Sequence, residues 1–259
     1  MSKRGITSFG AYIPNLRIER SAIAEAHSWS FPELKARAKG VRALTNWDED
    51  TITMGVEAAR GATLGDVGGV VFASTTPPFA DLQSATLVAS ALGLSPTVMT
   101  SDNGGSLRAG TSALLNALHN TADKPTLVIA SDARLAKPGS SQELQYGAGA
   151  VALTVGSDNV IAHLIGTASR SDAFIDHFRA SGQKYDYYWE DRWVRDEGYG
   201  KIVPAAIATA LTDAGVQAGD VRHFCLPGTL PGIAAVMAKQ AGITAEAVAD
   251  NLHTRCGDT

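Results

Sequence analysis

The sequence predicts an α/β protein. Short apolar runs rich in β-branched residues alternate with segments of helical period, alanine-rich and glycine-rich stretches interleave, and 259 residues with 45% hydrophobic side chains suffice for a large buried core. That length fits one large domain or two ordinary ones. With 19% charged residues and a formal charge of -4 at pH 7, and with no long basic tract, the chain has no electrostatic footprint for nucleic acid. No apolar run is long enough to span a membrane, and Met1-Ser2-Lys3-Arg4 is not followed by a secretory apolar core. The expectation is a cytoplasmic protein that engages neither membrane nor nucleic acid. Cys225 and Cys256 form no CxxC pair, and histidines 27, 119, 163, 177, 223 and 253 are scattered, so reduced thiols and no metal site are expected.

Taken in order, residues 5–13 read as a first strand and its exit, and Ser21 as the cap of a helix over 22–27. Residues 28–40 carry no clear period. Asp48-Glu49-Asp50-Thr51 sets negative charge at the start of a helix with Ile52, Val56 and Ala59 on one face, and 70–73 form a buried strand. A helix over 81–92, a strand over 97–101, a helix over 110–120 and a strongly apolar strand over 126–130 continue the alternation. After Tyr146, Gly147-Ala148-Gly149-Ala150 is predicted as a turn into a strand over 151–155, with 160–167 as its antiparallel partner. A polar and aromatic interval, 169–199, precedes a helix opened by Pro204 and ending at 214, a strand over 221–226, a helix over 232–241, and a short helix in a polar end, 245–259. The pattern divides into 1–168 and 169–259, the second part short of strands.

Four blocks in this order, Gly10-Ala11-Tyr12-Ile13-Pro14, Trp47-Asp48-Glu49-Asp50-Thr51-Ile52-Thr53-Met54, Arg108-Ala109-Gly110-Thr111 and Gly147-Ala148-Gly149-Ala150, resemble the hydroxymethylglutaryl-CoA synthase branch of the thiolase superfamily, especially its compact prokaryotic form. The resemblance covers nearly all of the chain. It implies a two-half, five-layered thiolase-like fold, commonly dimeric, whose halves build a tunnel for an acyl group and a pantetheine arm, here with a complete first half and a truncated second. It also implies a cysteine that takes the acyl group, a glutamate for acid-base work and a histidine supporting the second acyl-CoA. By motif position those roles fall at Leu107, Thr75 and near Leu226-Pro227, and none of the three carries the expected side chain. Leucine forms no bond to an acyl carbon, and an unassisted threonine hydroxyl is too weak a base near neutral pH. Residues 101–111 thus read as a strand-to-helix elbow, whose amides and dipole would favour a thiolate, with no thiol to act on.

Thr75, Asn103, Ser106, Leu107 and Gly149 are the candidate substrate-binding residues. Gly104-Gly105 either admit backbone amides to a thioester oxygen or form a tight loop, and Asn103 is either an oxyanion donor or a turn residue. Tyr146 is the candidate catalytic residue, a proton donor if its phenol is desolvated and paired; the alternative is a core tyrosine with a satisfied hydroxyl. Tyr185, Tyr187, Tyr188, Trp189 and Trp193, interleaved with charges, form a partner surface or tunnel cover, or a loop packed on the same subunit. Lys35, Arg37, Lys39 and Arg42 read as a solvated face rather than a phosphate site, Cys225 as a buried strand residue, and Cys256 beside His253 as part of a polar tail rather than an activated pair.

The expected function is an acyl-CoA-binding subunit without the condensing nucleophile, in a multi-subunit acyl-CoA enzyme. Its ligand or substrate would be a coenzyme A thioester, with no covalently bound cofactor. Homo- or hetero-oligomers are expected, and the resemblance points to a zinc-ribbon/OB-fold protein as partner. Two alternatives stand beside this: a cysteine-independent acyl-CoA carbon-carbon lyase of retro-aldol or retro-Claisen type, and a fragment of a longer acyltransferase.

Overall fold

The computed structural model describes residues 4–228 and 230–258. Along the chain run β1 (Gly5–Tyr12), β2 (Leu16–Glu19), α1 (Arg20–Ala26), β3 (Val41–Leu44), α2 (Thr51–Arg60), β4 (Gly69–Ala73), α3 (Ser84–Ala91), β5 (Met99–Asn103), α4 (Ala109–His119) and β6 (Thr126–Ala133). Then follow α5 (Ser141–Gln145), β7 (Ala148–Gly156), β8 (Ala162–His163), β9 (His177–Phe178), β10 (Tyr187–Tyr188), α6 (Asp191–Trp193), α7 (Gly200–Ala214), α8 (Ile233–Ala241) and α9 (His253–Cys256). Residues Pro32–Arg37, where no period was visible, form a 3-10 helix.

A mixed six-stranded sheet in the order β5-β4-β6-β7-β1-β8 is the centre of the molecule. β4 is parallel to β5 and β6, while β7 is antiparallel to β6 and β1. On one face, Val70, Phe72, Leu127 and Ile129 pack with Met54 and Val56 of α2 and Val88 of α3. Each such side chain contributes roughly 2 kcal/mol relative to exposure. The predicted apolar stripe of α2 is wider than Ile52, Val56 and Ala59, because the helix packs on the sheet and on α3 together. Its start follows the sequence: Asp50 accepts from the Thr53 amide at 2.8 Å while the Thr53 hydroxyl accepts from the Asp50 amide at 2.7 Å. Gly10 is needed here, since a Cβ on it would lie 2.1 Å from the Ala58 carbonyl oxygen. On the opposite face, Ala109, Ala113 and Ala117, one per turn of α4, lie against Val128 and Val155.

Several expected boundaries move. Ser21 does not cap α1; Glu19 takes that position without a side-chain bond, because the chain enters α1 directly from β2. Gly147-Ala148-Gly149-Ala150 is not a turn, since β7 begins at Ala148 and pairs Ala148, Gly149 and Ala150 with Ala133, Asp132 and Ser131. Small side chains there leave room for α2, with Ala148, Ala150 and Ala152 buried in the α2 cluster. Of 160–167, only β8 is a strand, and it pairs with β1 rather than β7, whose free edge β1 and β6 already occupy. Pro204 lies inside α7 instead of opening it, since a π-helical segment, Val194–Tyr199, runs into the helix ahead of it. The expected strand over 221–226 reduces to a bridge between Phe224 and Val248. Its apolar residues Val221 and Phe224 are used against α8 in a cluster with Ala238, Ile243 and Ala247, which leaves Cys225 exposed rather than buried.

Candidate functional site

Because β4, β5 and β6 are parallel, their carboxyl ends open at the same edge of the sheet, with Ala73 level with Asn103 and Ala130. Ligands of open α/β sheets bind beyond such ends. The turn after β4, Ser74 to Thr76, is fastened by Asp132 at the end of β6. Oδ1 of Asp132 accepts from the Thr75 and Thr76 amides at 2.8 and 3.0 Å, and from the Ser74, Thr75 and Thr76 hydroxyls at 3.0, 3.1 and 2.8 Å. Thr75 is therefore held by amide and hydroxyl together, and its carbonyl accepts from Arg179.

Beside this turn stands the elbow between β5 and α4. The Asn103 carbonyl accepts from the Ser74 amide at 3.0 Å, so β4 and β5 leave the sheet together. Gly105 has φ +78°, a conformation that suits glycine and folds the chain toward α4. The Ser106 hydroxyl accepts from the Arg108 amide at 3.2 Å, and its carbonyl accepts from the Ala109 amide at 2.9 Å. Leu107, 44% exposed, sits on this turn just ahead of the helix. Arg108 reaches across to the Ser169 hydroxyl at 2.9 Å and the Arg170 carbonyl at 3.2 Å. The amino-terminal amides of α4 bring partial positive charge to the elbow, able to polarise an acyl oxygen but not to form a covalent bond.

Behind the β4 turn lies a buried ionic cluster. Nη2 of Arg134 donates toward the Tyr146 hydroxyl at 2.8 Å, Asp186 Oδ2 at 2.7 Å and the Tyr188 hydroxyl at 2.8 Å. Tyr146 donates to the same Asp186 oxygen at 2.7 Å, and Arg179 donates to Asp186 Oδ1 at 2.9 Å. The Arg134 and Asp186 side chains are each 4% exposed, and Tyr146 is 0% exposed. Burial is the main cause that drives the Tyr146 phenol far above its ordinary range; the positive charge of Arg134 opposes this without cancelling it. Burial alone would raise Asp186 as well, but the Tyr146 hydrogen bond and the Arg134 and Arg179 charges outweigh it and hold the carboxyl below the usual range. At neutral pH the cluster is thus a carboxylate between two guanidiniums, with Tyr146 protonated.

No family model matches the chain. Among curated proteins, the hydroxymethylglutaryl-CoA synthase of Methanosphaera stadtmanae is 32% identical over 85% of this chain and 66% of its own length. That of Picrophilus torridus is 31% identical over 85% of this chain and 65% of its own. That of Aeropyrum pernix is 29% identical over 98% of this chain and 73% of its own. The chain is a homologue of hydroxymethylglutaryl-CoA synthases at about 30% identity, with a thiolase-like fold. Solved structures agree on the fold. A 3-oxoacyl-(acyl carrier protein) synthase III from Pseudomonas aeruginosa superposes with a TM-score of 0.84 at 20% identity, covering all of this chain and 85% of its own. A hydroxymethylglutaryl-CoA synthase complexed with CoA superposes with a TM-score of 0.79 at 20% identity, covering 99% of this chain and 67% of its own. The chain spans about two thirds to three quarters of the length of these curated relatives.

In this synthase-like chain the expected residues gather at one end of the sheet. Thr75, Asn103, Ser106 and Leu107 line the ends of β4 and β5, Gly149 lies opposite Asp132 in β7, and Tyr146 connects to Thr75 through Asp186 and Arg179. Asp132, Arg134, Arg179 and Asp186 went unrecognised in the sequence. An acidic residue at the carboxyl end of an apolar strand could have singled out Asp132; nothing local marks the other three. In the aromatic interval Tyr188 turns inward onto the same chain, while Tyr187 and Trp189 are exposed, their rings edge to face with centroids 5.8 Å apart. Arg42 departs from the expected solvated face, being buried and bonded to the Glu143 carbonyl, whereas Arg37 is exposed and paired with Asp191.

Cys256 and His253 do not form an activated pair. The thiol donates to the Leu252 carbonyl at 3.4 Å, and burial pushes its pKa up. His253 Nε2 takes a bond from Arg20 at 2.9 Å, which leaves Nδ1–H to donate to Asp258 at 2.8 Å. Among the described residues no cluster of three or more His, Cys, Asp or Glu could hold a metal ion, and no helix is long and apolar enough to cross a membrane. A groove of about 670 Å³ lies along α7 near Gln240 and Ala241, and another of about 450 Å³ borders Gly69, Met99 and Thr126 and reaches Ser101; neither is lined by residues 103–108 of the elbow.

Proposed function

We propose that this chain is a non-condensing acyl-CoA-binding subunit of a multi-subunit, cytoplasmic acyl-CoA enzyme. The observation that carries the reading is Leu107, half-exposed on the turn into α4, at the place where the family resemblance expects the condensing thiol. Thr75 supports it, because this position offers only a neutral hydroxyl, fixed with its amide on Asp132, where the family resemblance expects a glutamate for acid-base work. The similar synthase solved with CoA supports a coenzyme A thioester as ligand. In this reading Asn103, Ser106, Leu107 and Gly149 shape the acyl end of the site, the first amides of α4 orient the thioester oxygen, and the bond-making groups come from an associated chain. A zinc-ribbon/OB-fold protein is the partner the resemblance suggests, and the division at 168/169 separates the two halves.

The test is calorimetric titration of the purified protein with acetyl-CoA, followed by denaturing mass analysis of the same sample. The expected result is saturable binding with the polypeptide mass unchanged. An acyl adduct on the chain, or no binding in the isolated and co-purified forms alike, overturns it.

A second reading is a cysteine-independent carbon-carbon lyase with Tyr146 as proton donor; the phenol is paired with Asp186, while the burial that raises its pKa weakens it as a general acid. As general acid it would be worth about 100-fold or more in turnover. Tyr146→Phe should then lower acyl-CoA cleavage by that factor with assembly intact. Unchanged turnover removes Tyr146 from the chemistry.

A further inference from the structure

The β9–β10 hairpin is attached to the elbow by a chain of charged contacts. Arg134, from the strand end β6, holds Asp186; Asp186 holds Arg179; and Arg179 donates to the carbonyl of Thr75. The two Asp186 oxygens are divided between these guanidiniums, with Oδ2 also taking the Tyr146 phenol. A carboxylate buried with a guanidinium on each side has little freedom to move, since shifting it would strand a desolvated charge. Arg179 is the outer member, 24% exposed, and it spans from the hairpin to the β4 turn.

That turn is a wall of the elbow. The Ser74 amide bonds to the Asn103 carbonyl, and a Cβ on Gly104 would come within 3.2 Å of the Ser74 carbonyl. Asp132 holds the amides and hydroxyls of the turn, but the Thr75 carbonyl points the other way and is held by Arg179. Opposite sides of the same peptide segment are thus fixed by different elements, β6 and the hairpin.

We propose that Arg179 is a positioning residue that sets the Ser74–Thr76 turn against the elbow and so determines how the acyl end of a CoA thioester is received. The proposal rests on the acyl-CoA-binding reading above. Arg179 acts through Thr75 and touches no reacting atom. Its effect belongs to the acyl group, not to the CoA moiety, because the turn it holds lies against Asn103 and Gly104 of the elbow that carries Leu107. A lysine is a poor substitute, since a point ammonium does not present the guanidinium fork that donates to Asp186 and Thr75 together.

The experiment compares wild type with Arg179→Met and Arg179→Lys in the protein as purified, by hydrogen exchange over residues 74–76 and by titration with CoA and acetyl-CoA. In Arg179→Met, exchange at the Thr75 and Thr76 amides should rise by about tenfold, the scale of one lost hydrogen bond to a charged group. The preference for acetyl-CoA over CoA should fall by a similar factor, with CoA affinity little changed, and Arg179→Lys should lie between. Unchanged exchange in Arg179→Met overturns the positioning role whether or not any ligand binds. Faster exchange with the acetyl-CoA preference retained, or equal losses for CoA and acetyl-CoA, makes the contact merely structural and overturns the proposal. If the wild type binds neither CoA nor acetyl-CoA, the acyl-CoA reading fails and takes the ligand role of Arg179 with it, while the exchange data still show whether the turn is coupled to the hairpin.

Discussion

Asp186 is the residue on which most of the buried charge depends. It meets Arg134 at 2.7 Å and Arg179 at 2.9 Å while almost wholly removed from water. Replacing it with asparagine keeps the shape but leaves two guanidiniums without their counter-charge, a loss of about 3–5 kcal/mol by analogy with broken buried pairs. The pH dependence follows from the direction of its shift. The folded carboxyl is held below the ordinary value, so its contribution is fully present above the unfolded pKa of about 3.9 and is lost as pH falls through the lower folded value. Denaturant unfolding should therefore show wild type well above Asp186→Asn at pH 6, with the gap closing below pH ~4; a gap that stays constant into acid would remove this carboxylate from the balance. Tyr146 draws its role from the same cluster. The sequence could place a tyrosine before the glycine-rich block, but not the carboxylate that accepts its hydrogen bond, which lies 40 residues further on.

At the scale of single elements, local signals placed most helices and strands, and long-range ones moved their ends. The start of α2 was readable because Asp50 and Thr53, which cap it, are three residues apart. The start of α3 was not. Its first amides, Ser84 and Ala85, donate to Asp102 of β5 at 2.6 and 2.8 Å, and the helix begins at Ser84 rather than at 81. A cap supplied from a neighbouring strand leaves no trace in the helix's own sequence. Asp102→Ala should cost about 1–2 kcal/mol, seen as a lower denaturant midpoint with unchanged m-value. A loss below about 0.3 kcal/mol would mean that water replaces the cap. The strand expected over 221–226 failed for a related reason, since an apolar run becomes a strand only where a partner edge is present, and Phe224 finds only Val248.

For the whole molecule, the family resemblance anticipated the layered α/β fold and the end of the sheet where Thr75, Asn103, Ser106 and Leu107 meet. Parallel strands bring residues that follow them in sequence to a common edge, so that part of the site was legible. The hairpin, Asp132 and the arginines that hold the turn were not, because ion pairs between distant segments follow no period. Two surfaces bear on assembly. β5 lies at an edge of the sheet with Met99 exposed, and no residue of the 15-residue helix α7 is buried. An open strand edge is a reason to associate, and α7, packed on α8 through Ile207 but nowhere fully buried, leaves part of its surface free for a partner. Native mass spectrometry of the protein from its source, paired with denaturing mass analysis, should find it bound to a further copy or to an unlike chain at fixed stoichiometry. A monomer of this mass that turns over acyl-CoA by itself would exclude the subunit reading, and a longer polypeptide would favour an acyltransferase of which these residues are a part.

The order of the central strands and of the longer helices beside them, the family resemblance and the leucine in the elbow were all present in the chain before folding, because hydrophobic period, local caps and motif spacing act between near neighbours. Folding alone settled that Thr75 is already engaged by Asp132, that the Tyr146 phenol is sealed beside Asp186, and that Arg179 joins the hairpin to the β4 turn. Each of these depends on which charges lose their water together, and desolvation is a property of the packed neighbourhood, not of any one segment.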